Sequence, residues 1–170
     1  VATPLLESSI PALASQLLAP SPITLQLPCG KVQGQRLSDT QRFLGIPFAQ
    51  PPVGELRFKA PQPRADWPGV RQASRFATAS LQPPRPAKLV PQDPGYAEDC
   101  LYLNVWKPNA PGPHPVYVWI HGGGNAEGTT AQPIFDCESF ARSGVVFVSI
   151  AYRLGVLGFF DFSTVLGDEN

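Results

Sequence analysis

Three consecutive glycines behind a histidine, His121-Gly122-Gly123-Gly124, are the residues of this chain best suited to chemistry. Glycine opens backbone conformations closed to other residues and lets the main chain approach a ligand closely. Backbone N–H groups exposed in such a loop can point at a developing negative charge, which is the chemistry of an oxyanion hole. Two plainer readings stand beside it. Three glycines after a strand also make a tight turn. Gly123 and Gly128 have the spacing of a phosphate cradle and are followed by Thr129 and Thr130, but Thr129 occupies the place of the lysine that reaches the phosphates. His121 has the side chain of a general base, yet its position at the end of an apolar run reads as structural. Asn125 is either a substrate contact through its amide or a turn residue that tolerates a left-handed backbone.

The elements around the glycines must position them. Val116, Val118 and Ile120, with Tyr117 and Trp119 between them, form an apolar and aromatic run between Pro115 and Gly122. That pattern predicts a strand buried on both faces of a parallel sheet. Residues 137–143, CESFARS, read as a short helix capped by Asp136 and ended by Gly144, and VVFVSIAY from Val145 is the next apolar strand. Strand, glycine loop, helix and strand make a βαβ unit with a right-handed crossover. LYLNVWKP, 101–108, alternates as a strand, with a hairpin-like loop from Ala110 to Pro115. Upstream, ITLQL, KVQGQR and QRFLGIPF are short strands parted by turns at Pro28-Cys29-Gly30 and Ser38-Asp39. Residues 49–70 are proline-rich, with Pro51-Pro52 fixing extended backbone, and residues 81–95 are a proline-rich surface loop.

From Leu27 onward the chain resembles the type B carboxylesterase and cholinesterase family. The resemblance rests on RFLGIPFAQPPVGELRFKAPQP from Arg42, Trp67-Pro68-Gly69-Val70, AEDCLYLNVWKP from Ala97, WIHGGG from Trp119 and VSIAYRLGVLGFF from Val148, in order. It implies the N-terminal part of an α/β-hydrolase fold, with a small antiparallel N-terminal sheet and the first strands of a central, mostly parallel sheet. It also implies a serine carboxylic ester hydrolase in which the Gly123 and Gly124 N–H groups hold the oxyanion. Asn125 stands where the family usually has an aromatic or small apolar residue, and is the substrate-binding candidate. By the same resemblance Arg57 and Glu98 form a salt bridge. The cysteine of EDCL, Cys100, would pair with a position that is Ser80 here, so Cys100 reads as a buried thiol. Residues 81–95 would lie over the active-site entrance, and they contain none of the aromatic side chains with which cholinesterases hold a quaternary ammonium. A choline ester is disfavoured.

The serine of a GxSxG elbow occurs nowhere in the 170 residues. The resemblance therefore places the nucleophile, and the histidine and acid that serve it, in a complementary C-terminal chain of the same polypeptide. By the same resemblance the chain stops at LGDEN within a short loop that leads to a helix start, some tens of residues before the elbow. It contains no methionine and starts at Val1, so an upstream segment is expected to have been removed. The rival reading is a binding or adhesion member of the same fold that has lost the nucleophile.

Composition narrows the rest. Thirteen lysines and arginines balance 13 aspartates and glutamates, which favours neither nucleic acid nor an anionic membrane. No apolar run is long enough to span a bilayer. The three cysteines, Cys29, Cys100 and Cys137, have no metal-ligand spacing. No cofactor and no metal is called for, and a small-molecule ester is the partner expected. The compartment stays open, leaning secreted or periplasmic. Residues 1–22 lie outside the resemblance; Leu6, Ile10, Leu13 and Leu17 make one helical stripe, and Ser9 with Pro11 reads as its start. They form an N-terminal arm on a single domain, 23–170, completed by residues outside the chain. By itself such a chain would leave much apolar strand surface in water, with little helix to cover it.

Overall fold

The computed structural model describes residues 19–84, 86, 89–90, 92–134 and 137–167. Residues 1–18 of the N-terminal arm, the cap assigned to Asp136 and the last three residues lie outside them, whereas Ser21 and Pro22, read as the end of the arm, belong to the first strand.

Three strands open the fold: β1 (Ser21–Leu27), β2 (Gly30–Arg36) and β3 (Thr40–Pro47). They pair as antiparallel neighbours, because the turns at 28–29 and 38–39 are short enough to return the chain beside itself. After a proline-rich stretch holding a single 3-10 turn at Gly54–Leu56, β4 (Val70–Gln72) lies parallel to β2. A separate two-stranded ribbon joins β5 (Ala79–Ser80) to β6 (Tyr96–Ala97) at the root of the 81–95 loop. Then come β7 (Tyr102–Pro108), β8 (Val116–Ile120), helix α1 (Cys137–Arg142) and β9 (Val146–Ile150). Two further turns of helix, α2 (Val156–Phe159) and α3 (Ser163–Leu166), were not anticipated from the sequence.

The antiparallel strands and the first central strands form one sheet, in the order β1-β2-β3-β7-β9-β8, with β4 beside β2. β3 joins the two parts through antiparallel pairing with β7, broken by a register shift between Phe43 and Ile46. The hairpin expected between β7 and β8 is absent. β9 lies between them, antiparallel to β7 and parallel to β8, because the chain leaves β8 through α1 and returns on the β7 side. The strand–helix–strand unit is thus present with adjacent parallel strands.

Alternation along β3 sends Phe43 and Leu44 to different cores, and the register shift brings Ile46 back to the side of Phe43. Phe43 and Ile46 pack with Val32 and Ala73, with Trp67, Leu103 and Val105 at the margin. Leu44 joins Trp106, Phe147 and the Cys137 and Ala141 side chains of α1. Trp67 closes the first core from outside, its indole N–H donating to the Lys31 carbonyl at 2.8 Å while Arg71 lies 5.3 Å over the ring.

β8 departs from its expected burial on both faces. Tyr117 stacks on Phe140 of α1 and on Phe147 at 5.3 and 5.5 Å, and this side lines a cavity of about 290 Å³. On the opposite side Val116, Val118 and Ile120 are 62%, 52% and 65% exposed. Side chains alternate across a strand, and among the described residues only α1 offers cover, so one face of β8 is partly covered, with Tyr117 still 47% exposed, and the other is bare. This is the uncovered apolar surface that the sequence predicts for the chain by itself. Among the described residues no helix is long and apolar enough to cross a membrane.

Candidate functional site

The C-terminal end of β8 delivers the chain into residues 121–128. His121 is 5% exposed, whereas the six residues from Gly122 to Glu127 are all exposed. An exposed loop of this kind keeps its shape only if its ends are held, and it is pinned at three points. At its start, the Tyr152 hydroxyl donates to the His121 carbonyl at 2.6 Å and the two rings stack at 4.5 Å. At its middle, the Gly155 N–H donates to the Asn125 carbonyl at 2.7 Å. At its end, the Gln82 side chain bonds the Gly128 peptide in both directions: Nε2 donates to the carbonyl at 2.7 Å, and Oε1 accepts the N–H at 2.8 Å.

Inside the loop, the Ala126 and Glu127 N–H groups both donate to the Gly123 carbonyl at 3.1 Å. The Gly123 and Gly124 N–H groups donate to no other group among the described residues. Gly123 has φ of +133°, and a Cβ there would run into the Glu127 carbonyl oxygen. Only glycine meets both conditions.

His121 behaves as the structural reading expects. Its Nδ1 lies 3.0 Å from the Gly122 carbonyl; a carbonyl can only accept, so Nδ1 carries the proton and serves the loop. The phosphate-cradle alternative loses its hydroxyls. Thr129 and Thr130 are buried, with Thr129 Oγ1 accepting the Ala131 N–H at 3.2 Å and Thr130 Oγ1 taking a bond from Asn104 at 3.0 Å. Asn125 has φ of +59°, the left-handed backbone that its side chain tolerates, and its residue is exposed on the same loop.

The sequence did not single out Asn104. It sits on the buried side of β7 with Trp106, and its amide is fully used: Oδ1 accepts the Gly45 N–H at 2.9 Å, while Nδ2 donates to Thr130 and Ser149, each at 3.0 Å. It ties β3, β7, β9 and the exit of the glycine loop together. A polar residue on the inward parity of an apolar strand was the available signal. Gln82 and Tyr152 were missed as supports because their partners are distant in sequence.

The salt bridge that the resemblance implies, tying the proline-rich loop 49–70 to the EDCL segment, is present. Arg57 grips Glu98 with two bonds, 2.6 and 2.8 Å, and this pairing holds the guanidinium pKa above its usual value. Cys100 is a free, wholly buried thiol. Burial pushes it up to about 11, with a bond to the Ser80 side chain opposing. Ser80, where the resemblance implies the disulfide partner of relatives, has an Oγ that accepts the Leu154 N–H at 2.9 Å. Tyr102, partly buried and bonded to Asp99, is raised to about 12.

A thiolate is the reactive form, so Cys100 should be inert in the native protein. Iodoacetamide at pH 8, followed by peptide mass mapping, is expected to modify Cys29, which is partly exposed, and to spare Cys100 and Cys137 until denaturant is added. The raised values also fix a sign. The unfolded chain releases the Cys100 proton from about pH 9 and the Tyr102 proton from about pH 10, whereas the folded chain keeps them to about pH 11 and about pH 12, so stability falls as pH rises from 9 to 12. A denaturation midpoint that climbs from pH 9 to 11 would contradict this.

A mixed sheet with β8 and β9 parallel, opening into a glycine loop at the end of β8, is the N-terminal portion of an α/β-hydrolase fold. The chain belongs to the carboxylesterase family, whose sequence profile matches residues 21–170. It is 47% identical over 134 residues to the phenmedipham hydrolase of Pseudarthrobacter oxydans, covering 75% of this chain and 27% of that protein. To the para-nitrobenzyl esterase of Bacillus subtilis it is 41% identical over 138 residues, covering 79% and 28%. The solved carboxylesterase of Geobacillus stearothermophilus superposes with a TM-score of 0.76 at 36% identity, over 86% of this chain and 30% of that one. The chain thus spans about a quarter of the length of these curated relatives.

Proposed function

We propose that this chain is the N-terminal part of a serine carboxylic ester hydrolase and that it contributes the Gly123 and Gly124 N–H groups as oxyanion donors. The observation that carries the reading is that both groups lie on an exposed, three-point-anchored loop without a partner among the described residues. In the reaction a serine outside this chain attacks the ester carbonyl as a histidine takes its proton and an acidic residue orients that histidine. Negative charge gathers on the carbonyl oxygen, where donors already fixed in place stabilise it without reorganising. One such donor typically contributes about 3 to 4 kcal/mol to the transition state. Asn125, next on the loop, is the residue proposed to face the substrate.

The domain then starts with β1 at Ser21 and is completed by the remainder of the polypeptide, which carries the triad and covers the bare face of β8. Residues 1–20 are an arm outside that domain. The full-length protein is expected to hydrolyse p-nitrophenyl acetate and to be inactivated by one equivalent of an organophosphate. The adduct belongs on a serine outside residues 1–170. A folded full-length protein that takes no adduct, or takes it within these residues, would remove the assignment.

A further inference from the structure

Gln82 stands 46 residues upstream of the peptide that it holds. It opens the 81–95 loop, and nothing in its surroundings by sequence marks it. Its amide makes three bonds: Nε2 to the Gly128 carbonyl at 2.7 Å, Nε2 to the Ser80 carbonyl at 3.1 Å, and Oε1 from the Gly128 N–H at 2.8 Å. The orientation of the amide is forced, because an N–H cannot face an N–H nor a carbonyl a carbonyl. Only a side chain with a donor and an acceptor side by side can pair with a peptide this way.

Gly128 is the point where such a grip matters. The six exposed residues before it contact each other through two bonds to one carbonyl, that of Gly123. Gly128 itself is buried against the His121 ring, with φ of +134°. The segment that carries Gln82 also reaches the loop's middle, since Ser80 Oγ accepts the Leu154 N–H and the next residue, Gly155, holds the Asn125 carbonyl.

We infer that Gln82 is a positioning residue for the oxyanion loop: by pairing with both sides of the Gly128 peptide it fixes the loop that presents the Gly123 and Gly124 N–H groups. This rests on the ester-hydrolase reading above. Donors that are misplaced by a fraction of an ångström still admit substrate but stabilise the transition state less. Loss of the clamp therefore lowers kcat and leaves KM nearly unchanged.

The test uses the full-length protein with Gln82→Leu and Gln82→Glu. In Gln82→Leu, kcat for p-nitrophenyl acetate should fall tenfold or more with KM within twofold. Amide exchange should quicken at Gly128, Ala126 and Glu127. Gln82→Glu keeps the size of the side chain and remains informative if the leucine variant does not fold. Its carboxylate accepts the Gly128 N–H but repels the carbonyl, and protonation restores a donor. The ratio of its kcat to that of wild type should therefore rise as pH is lowered from 8 to 5, a profile that a purely structural glutamine would not produce. A kcat within twofold of wild type in Gln82→Leu, or a flat ratio in Gln82→Glu, overturns the inference. Inactivity of the wild type would instead sink the parent reading, and the exchange rates at Gly128, Ala126 and Glu127 would then decide the clamp by themselves.

Discussion

Gly123→Val in the full-length protein is expected to lose more than nine-tenths of kcat/KM toward p-nitrophenyl esters while unfolding near the wild-type midpoint. The new Cβ would enter the Glu127 carbonyl oxygen, and φ of +133° is closed to a β-branched residue. The turn made by the Ala126 and Glu127 N–H groups on the Gly123 carbonyl must then come apart, which carries the Gly123 and Gly124 donors away from their places. The surrounding residues are exposed, so the damage stays in the loop. A variant that kept more than a tenth of wild-type kcat/KM would limit the loss to below about 1.4 kcal/mol, too little for an oxyanion donor.

Gly128→Ala should cost both stability and turnover. Here the added methyl meets the His121 ring, with Cε1 at 2.5 Å and the Gly122 carbonyl oxygen at 2.6 Å. The imidazole is buried and stacks against Tyr152, which restricts how far it can yield. Forcing a methyl into a packed site costs about 1 to 3 kcal/mol, and holding alanine at φ of +134° adds about 1 to 3 kcal/mol more. A lowered denaturation midpoint together with reduced kcat is the expected result. An unchanged midpoint would mean that the His121 pocket is looser than these distances indicate. Comparison of the two glycines separates the loop's tip, where a side chain affects chemistry, from its root, where it affects the fold as well.

Much of this loop was legible in the sequence because its signals are local. The apolar run before His121 and the following glycines specify a strand and a backbone that no other residue can adopt. Asn125 was readable as a left-handed turn residue for the same reason. The supports were harder to see. Gln82 and Tyr152 act through peptides 46 and 31 residues away, and no local pattern encodes such distances. The order of β7, β9 and β8 was misjudged because a short connection suggests a hairpin, whereas pairing depends on where the chain returns after α1. Burial of β8 was overstated for a related reason: apolar side chains on both faces record what a strand requires, and one short helix covers only one of them.

Because Ser80 meets Cys100 through a hydrogen bond and not a covalent bond, nothing ties these two positions together once the chain unfolds. A covalent link between these positions, of the kind the family resemblance implies for relatives, would close a loop of some twenty residues and lower the entropy of the unfolded ensemble by about 3 kcal/mol in free-energy terms. Here closure rests on noncovalent contacts: the Arg57 grip on Glu98, the Ser80 bond to Leu154 and the short β5–β6 ribbon. All of them vanish when the chain unfolds. The base of the 81–95 segment is therefore held by enthalpy that must be regained at each closure, and its ordering is sensitive to temperature and denaturant but indifferent to thiol reductants.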